Sequence, residues 1–450
     1  MNREYLKTEG DVNLSSERTK WQEENIDDET AHWLAEDEKY FLHQSLSTPC
    51  LNVLQESKGA ELIDLQQRTY LDFHGNQVHQ AGFSHPKVIE AVKEQLDQMA
   101  FCTRRYTNIP AINLAKKLIE LAPGDLNKIL FAPGGTLAIG MAIKLARAVT
   151  GKHKLISMWD AFHGASLDVV SISGEAVFRK DAGPLIPGVE HIAPPNPSGC
   201  PFKCGEKCSL QCADYLDYVL EKEAGDVAAV IAETIRSVPL IPSKEYWQRI
   251  RAICEHHGVL LILDEIPTAL GRSGKFFAFE NFDIIPDMVV IGKGIGGGIV
   301  PFAGLLAKES FNDFIKERAI GHYTHEKNPV ACAAGLATLQ VIEEESLVQK
   351  AFEDGAFMLE ELKKLKSRHP LIHNVRGIGL ILGVELFRDD PETSNWLTEK
   401  IMYRALSMGM NFKVSLGNVI TLMPPLIITR DQIMKAIDIL DQAISEEKIA

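Results

Sequence analysis

Residues 258–298 read GVLLILDEIPTALGRSGKFFAFENFDIIPDMVVIGKGIGGG, and two apolar runs within them decide the fold. GVLLIL and MVVI are too short for helices and lack the polar alternation of a sheet with one wet face, so each reads as a strand covered on both sides. Each run ends abruptly in polar residues: the first in Asp264 and Glu265, the second in Gly292 and Lys293 at the head of a glycine-rich turn. Outward from this stretch, KILFAP (128–133), KLISMW (154–159) and VAAVIAE (227–233) repeat the theme. Helical spacing follows in runs such as PGGTLAIGMAIKLARAV (133–149) and KEYWQRIRAICEHH (244–257). Strands alternating with helices predict an α/β architecture: a mainly parallel sheet covered by helices, with ligands bound beyond the carboxyl ends of the strands.

The flanks read differently. AHWLAEDEKYFLHQSL (31–46) has helical spacing, residues 59–86 alternate like hairpin strands separated by turns, and PKVIEAVKEQLDQM (86–99) switches to a helix with Pro86 at its start. After Pro329 the chain becomes helix-rich, then gives the short strands VRGIGLILGVEL (375–386) and VITLMPP (419–425) before a closing helix. The expected organisation is a large domain over 76–328 and a smaller α+β domain drawn from both ends, 1–75 and 329–450.

The 450 residues are 45% hydrophobic and 24% charged, with 47 Lys and Arg against 61 Asp and Glu and a net charge of −14. Nucleic acid and anionic membranes both demand basic stripes, so neither is an expected partner, although one local cationic pocket can coexist with an acidic exterior. No run reaches the roughly 18–20 uncharged apolar residues of a membrane helix. The N-terminus lacks the apolar core of a signal peptide, which predicts a cytoplasmic protein. Eight cysteines are too few for a disulfide framework and default to thiols. Cys200, Cys204, Cys208 and Cys212 recur at equal spacing in CPFKCGEKCSLQC, a pattern that fits a tetrathiolate metal site only loosely, and no metal is expected there.

Four elements at strand ends carry chemistry. Asp264, closing a central strand, is either an ordinary cap or a buried carboxylate held ionised against a cationic partner. Lys293 is either solvated or a desolvated amine nucleophile among glycines that leave the backbone open to a ligand. Gly134, Gly135 and Thr136 stand at a helix start, where free N–H groups, the helix dipole and a hydroxyl form an anion cup. Phe162 and His163, in WDAFHGAS (159–166), place an aromatic after the next strand, for core packing or for stacking on a flat ligand.

The order and spacing of these elements resemble the class III aminotransferases, fold-type I pyridoxal phosphate enzymes, over nearly the whole chain from about Thr48. Residues 264–298, GHYTHEKNPVACAAG (321–335), VRGIGLILGVEL and TLMPPLIIT (421–429) carry the resemblance. It implies pyridoxal 5′-phosphate as cofactor, covalently held by Lys293, which would also move the Cα proton. Asp264 would pair with the ring nitrogen, with His163 and Glu233 beside the cofactor. Gly135 and Thr136 would bind its phosphate, while Phe162 and Ile266 would cover the two ring faces. Thr324 would reach the phosphate of a neighbouring subunit, which implies a homodimer with shared active sites and leaves a tetramer open.

Departures from the family pattern point to the reaction. The arginine that grips an amino-acid carboxylate in these transaminases is replaced by Thr421, so a glutamate-like co-substrate loses its bidentate anchor. Glu233, at the position of a glutamate that often pairs with that arginine, is left for another partner. Pro267 stands where the family usually has a glutamine, and it cannot donate a hydrogen bond to the cofactor's phenolic oxygen. Meanwhile Arg104, Arg105, Arg236, His325 and Lys327 add cations suited to a phosphonate or phosphate dianion. The resemblance and these departures together imply an ammonia-lyase of phosphonate catabolism. It would remove a Cα proton and expel a β-substituent from a small hydroxylated aminophosphonate, giving an aldehyde and ammonia. A hydroxide leaving group needs a general acid, to be sought among His74, His79, His325 and Lys327. The alternatives are an ω-aminotransferase with a keto-acid acceptor, a phospholyase on a phosphorylated amine, and a non-catalytic protein that binds the cofactor.

Overall fold

The computed structural model describes residues 15–44, 47–196, 199–204 and 208–447. Two compact units divide the chain: Pro86–Val348 is one, and the flanking segments up to His85 and from Gln349 onward make the other.

The larger unit is built on seven strands, β1 (Lys128–Ala132), β2 (Lys154–Met158), β3 (Val189–Ile192), β4 (Val227–Glu233), β5 (Leu260–Asp264), β6 (Met288–Ile291) and β7 (Ala303–Ala307). They form one sheet in the order β1-β7-β6-β5-β4-β2-β3. The block β6-β5-β4-β2-β3 is parallel, and β7 alone runs against its neighbours β6 and β1. All residues of β4, β6 and β7 are buried, as continuous apolar strands under helices must be. Helix Gly135–Thr150 packs Ile139, Ala142, Leu145 and Ala146 into one core with Ile231, Ile262, Val290 and Leu305. Each such fully buried isoleucine or leucine contributes roughly 1.5–3 kcal/mol relative to exposure. Register then aligns the chemistry: Glu233 pairs with Asp264, and Asp264 with Val290, so the carboxyl ends of β4, β5 and β6 come level.

Helix Pro329–Glu344 packs on helices Pro86–Gln98 and Ile109–Leu121 inside this unit. Sequence spacing places that helix in the smaller domain; the structure sets the boundaries after His85 and after Val348 instead. The reason lies in its composition. PVACAAGLATLQVI is apolar almost all round, so it needs neighbours on every side. At Gly335 a Cβ would come within 2.8 Å of the Ile295 carbonyl oxygen.

The smaller unit holds two four-stranded sheets. Leu54–Lys58, Glu61–Asp64 and Thr69–Asp72 form an antiparallel meander extended by a parallel two-residue strand, Met410–Asn411. Ile372–Ile378, Ile381–Leu386, Val419–Leu422 and Lys413–Ser415 form the second, entirely antiparallel. The helix expected over 31–46 runs instead over Asp28–Tyr40. It begins earlier because the Asp27 side chain caps it by accepting from the Thr30 N–H, and it stops before Phe41 and Leu42, which are exposed. A further helix at Ser16–Asn25 precedes it. Among the described residues no helix is long and apolar enough to cross a membrane.

One close approach fixes a loop on which the site depends. Gly174 follows helix Leu167–Ile172 and donates its N–H to the Ala161 carbonyl at 2.8 Å, and the Glu175 N–H reaches the same oxygen at 3.2 Å. A Cβ at 174 would lie 2.2 Å from the Met158 carbonyl oxygen, a backbone atom at the end of β2 that has nowhere to retreat. Gly174→Ala is therefore expected to lower stability by about 1–3 kcal/mol in denaturant unfolding, outweighing the roughly 0.4–1 kcal/mol that a stiffer unfolded chain returns.

Candidate active site

The acidic pair that ends β5 is split between two tasks. Glu265 is fully buried and turns away into the fold, where Oε1 accepts from the Thr234 hydroxyl at 2.8 Å and the Phe279 N–H at 2.7 Å, and Oε2 from the Ala278 N–H at 2.6 Å. Burial pushes its carboxyl up to about 7 despite those donors. Asp264, 2% exposed, takes the other direction: its Oδ2 lies 2.8 Å from His163 Nδ1, and its Oδ1 accepts from the Ile266 N–H at 3.0 Å. His163 is in turn held by its own N–H to the Ser173 hydroxyl at 3.1 Å, with Nε2 3.4 Å from the Ser157 hydroxyl. This is a fixed, desolvated carboxylate, the kind of group that stabilises a cationic ring nitrogen.

A second pair lies beside the first. Glu233, the last residue of β4, has Oε2 3.3 Å from Arg236 Nε, and Glu175 Oε2 is 3.6 Å from Arg236 Nη2; all three side chains are buried. Burial pushes the Glu233 carboxyl up to about 7, against the pull of Arg236 and His163 and with the push of Asp264 and Glu175. Arg236 is thus one guanidinium facing two carboxyl groups, with the Asp264 carboxyl beside them. The residues present fit a cofactor whose cationic ring nitrogen would meet Asp264.

At the end of β1 the glycines expected to form an anion cup stand at a helix start. Helix Gly135–Thr150 starts behind Gly134, which has no side chain to cap the first-turn N–H groups and nothing within 4 Å of where a Cβ would sit. The Thr136 hydroxyl lies 2.6 Å from that of Ser166, which donates to Asp168 Oδ1 at 2.6 Å. At Gly164, with φ +142°, a Cβ would fall 2.5 Å from Thr136 Oγ1, so the 162–164 turn lies against the cup. Ile266 is flanked by two glycines: a Cβ at Gly135 would come within 2.8 Å of its Cδ1, and one at Gly292 within 3.0 Å of its Cγ2. Lys293 follows β6 directly, half-buried, with φ +49° in the left-handed region, where an L side chain costs about 1–2 kcal/mol. Phe162 is 36% exposed and packs on Phe178, ring centroids 4.3 Å apart.

The remaining cations sit on two adjoining segments of the larger unit. Arg104 meets Glu326 Oε1 at 3.3 Å and the His322 ring at 2.6 Å; His325 packs edge-on to Phe101, and the Asn108 amide donates to the Lys327 carbonyl at 3.0 Å. Arg105, Thr324 and Lys327 are exposed. Thr421, in the smaller unit, is 1% exposed and donates to the Ser415 hydroxyl at 3.0 Å. His74 and His79 also lie there, with His79 fully buried 3.6 Å from Asp72. Cys200 and Cys204 are half-buried, Cys208 exposed and Cys212 buried; among the described residues no group of three or more His, Cys, Asp or Glu is placed to hold a metal ion.

Sequence reading missed Ser166, Glu175 and the two serines around His163. Ser166 carries a signal, a hydroxyl two residues beyond the His-Gly turn. Glu175 carries none, because it is brought in by a loop whose path depends on Gly174.

The protein-family model for class-III aminotransferases matches residues 43–444. The (R)-1-hydroxy-2-aminoethylphosphonate ammonia-lyase of Vibrio splendidus is 46% identical, covering 98% of this chain and 96% of that protein. The alanine/serine racemase of Pyrococcus horikoshii is 33% identical over 86% of this chain and 84% of its own. Among solved structures, a transaminase from the marine bacterium Virgibacillus superposes with a TM-score of 0.84 at 27% identity, covering 92% of this chain and 98% of that one. An amine transaminase from an uncultivated Pseudomonas species, in its PLP-bound form, gives 0.85 at 28%, covering 91% and 99%. With its parallel sheet, its buried Asp264 and its glycine-lined cup, the chain belongs to the class III aminotransferase family of fold-type I enzymes, and its cofactor is pyridoxal 5′-phosphate.

Proposed function

We propose that the protein is an ammonia-lyase acting on (R)-1-hydroxy-2-aminoethylphosphonate, giving phosphonoacetaldehyde and ammonia in the breakdown of phosphonates in the cytoplasm. The observation that carries this reading is the near full-length similarity to an enzyme of that name. The site departs from a transaminase in the same direction. The carboxylate-gripping arginine is absent, its place taken by a buried Thr421 bonded to Ser415, and the glutamate it often pairs with is engaged by Arg236.

When bound, pyridoxal 5′-phosphate supplies an aldehyde for the substrate amine and an electron sink for the carbon that bears it. The protein's own groups do the rest. Lys293 would hold the cofactor covalently, and its amine would take the proton from the amine-bearing carbon. Asp264, oriented by His163, would face the ring nitrogen. Gly135, Thr136 and Ser166 receive the cofactor phosphate at the helix start, and Phe162 and Ile266 bound the ring faces. Hydroxide leaves the carbon carrying the phosphonate and is protonated by a general acid, drawn from His74, His79, His325 and Lys327. The eliminated water balances the water then consumed in hydrolysis to aldehyde and ammonia.

For the substrate's dianion, Arg104, Arg105, His325 and Lys327 form the group to consider, since they share two adjoining segments with Thr324. By the family resemblance Thr324 serves a neighbouring subunit's phosphate, so this group would complete the partner's site in a homodimer. Arg236 already faces two carboxylates.

Two measurements test the reading. Purified protein given (R)-1-hydroxy-2-aminoethylphosphonate is expected to release ammonia and aldehyde in equal amounts with no keto acid present. Turnover that requires pyruvate would make it an aminotransferase, and no turnover under either condition, with cofactor bound, would leave a binding protein. Lys293→Ala is expected to abolish the visible absorbance of the lysine-bound cofactor and lower kcat by more than about 10³-fold, with the fold retained by circular dichroism.

A further inference from the structure

Arg236 was one of five cations that the sequence offers to the substrate's anion, and the structure gives it other work. Its guanidinium reaches Glu233 through Nε at 3.3 Å and Glu175 through Nη2 at 3.6 Å, with the three side chains between 2% and 9% exposed. Its backbone is pinned as well: N–H and carbonyl exchange hydrogen bonds with Leu240 at 3.2 and 3.4 Å, which closes the turn after β4. Glu175 is delivered by the Gly174 loop, where no side chain fits. An arginine held at both ends by buried carboxylates gives up two ionic contacts if it swings to a ligand, and would leave two charges in a dry site.

We infer that Arg236 is a positioning residue: it is the counter-ion of Glu233 and Glu175, and through them it sets the charge around the His163–Asp264 pair beneath the cofactor's ring nitrogen. This rests on the reading that the site holds pyridoxal 5′-phosphate. The groups that face Glu233 are Arg236, His163, Asp264 and Glu175. Arg236, three residues along the chain from Glu233, provides its cation. Because the ionic set is joined, removing one cation raises the proton affinity of every group around it, and removing one carboxylate lowers it.

The test is a pH titration of the bound cofactor's visible absorbance in the purified holoenzyme, with steady-state kinetics alongside. The parent must first show a visible band that Lys293→Ala abolishes; without it the cofactor reading itself fails, separately from this inference. Given that band, Arg236→Gln is expected to move the titration midpoint up by about one pH unit or more, Glu233→Gln to move it down, and the double variant to return it close to the parent. Arg236→Lys should recover part of the shift. The double variant also covers the case in which Arg236→Gln does not fold, because it removes both charges together and is expected to keep a thermal midpoint near that of the parent. KM for the aminophosphonate should change little in the double variant while kcat falls. The inference is overturned if the midpoints stay in place and both Arg236→Gln and the double variant raise KM about tenfold or more at unchanged kcat, the behaviour of a substrate clamp.

Discussion

A carboxyl group at the end of a central strand, shut off from water, is the constraint to which the rest of this site answers. Asp264 is 2% exposed, so its oxygens depend on protein partners rather than on water. Here the His163 ring and the Ile266 N–H hold its two oxygens. Each of those partners is itself fixed, His163 by Ser173 and Ile266 by the close glycines 135 and 292. The same glycines belong to the helix start at Gly135 and to the Lys293 turn, so the groups proposed to meet the cofactor are set by one tightly packed neighbourhood.

Much of this was legible in the sequence because it rests on local pattern. Unbroken apolar runs identify the parallel strands, and polar residues stranded at the ends of such runs have to be either capped or used. Asp264, Lys293, Gly135 and Thr136 all stand at those ends. Other features were out of reach for physical reasons. The division of labour between Asp264 and Glu265 depends on which way each side chain turns, and only the fold reveals that Glu265 is occupied by the N–H groups of Ala278 and Phe279. Glu175 lies 58 residues from Glu233 along the chain, and nothing local marks it as a partner of Arg236. Helix Pro329–Glu344 shows the converse: its apolar circumference was a visible sign of all-round burial, yet the change to helix-rich sequence at Pro329 suggested a domain boundary there.

The cations divide in a way that composition could not show. A net charge of −14 describes an acidic exterior, while Arg236 and His163 lie inside, outnumbered by carboxylates. Arg104, by contrast, is half-exposed and shares its charge with Glu326. One group therefore acts on the electrostatics of a dry interior, where each charge is felt strongly, and the other lies where solvent and a ligand compete for it.

The hydroxyl pair of Thr421 and Ser415 has an evolutionary consequence. Reinstating an arginine at 421 would force a guanidinium into a position 1% exposed and closed by a serine, at the cost of burying its charge. Restoring a cationic clamp at this position therefore takes more than one substitution, because the serine that accepts from Thr421 would have to give way as well.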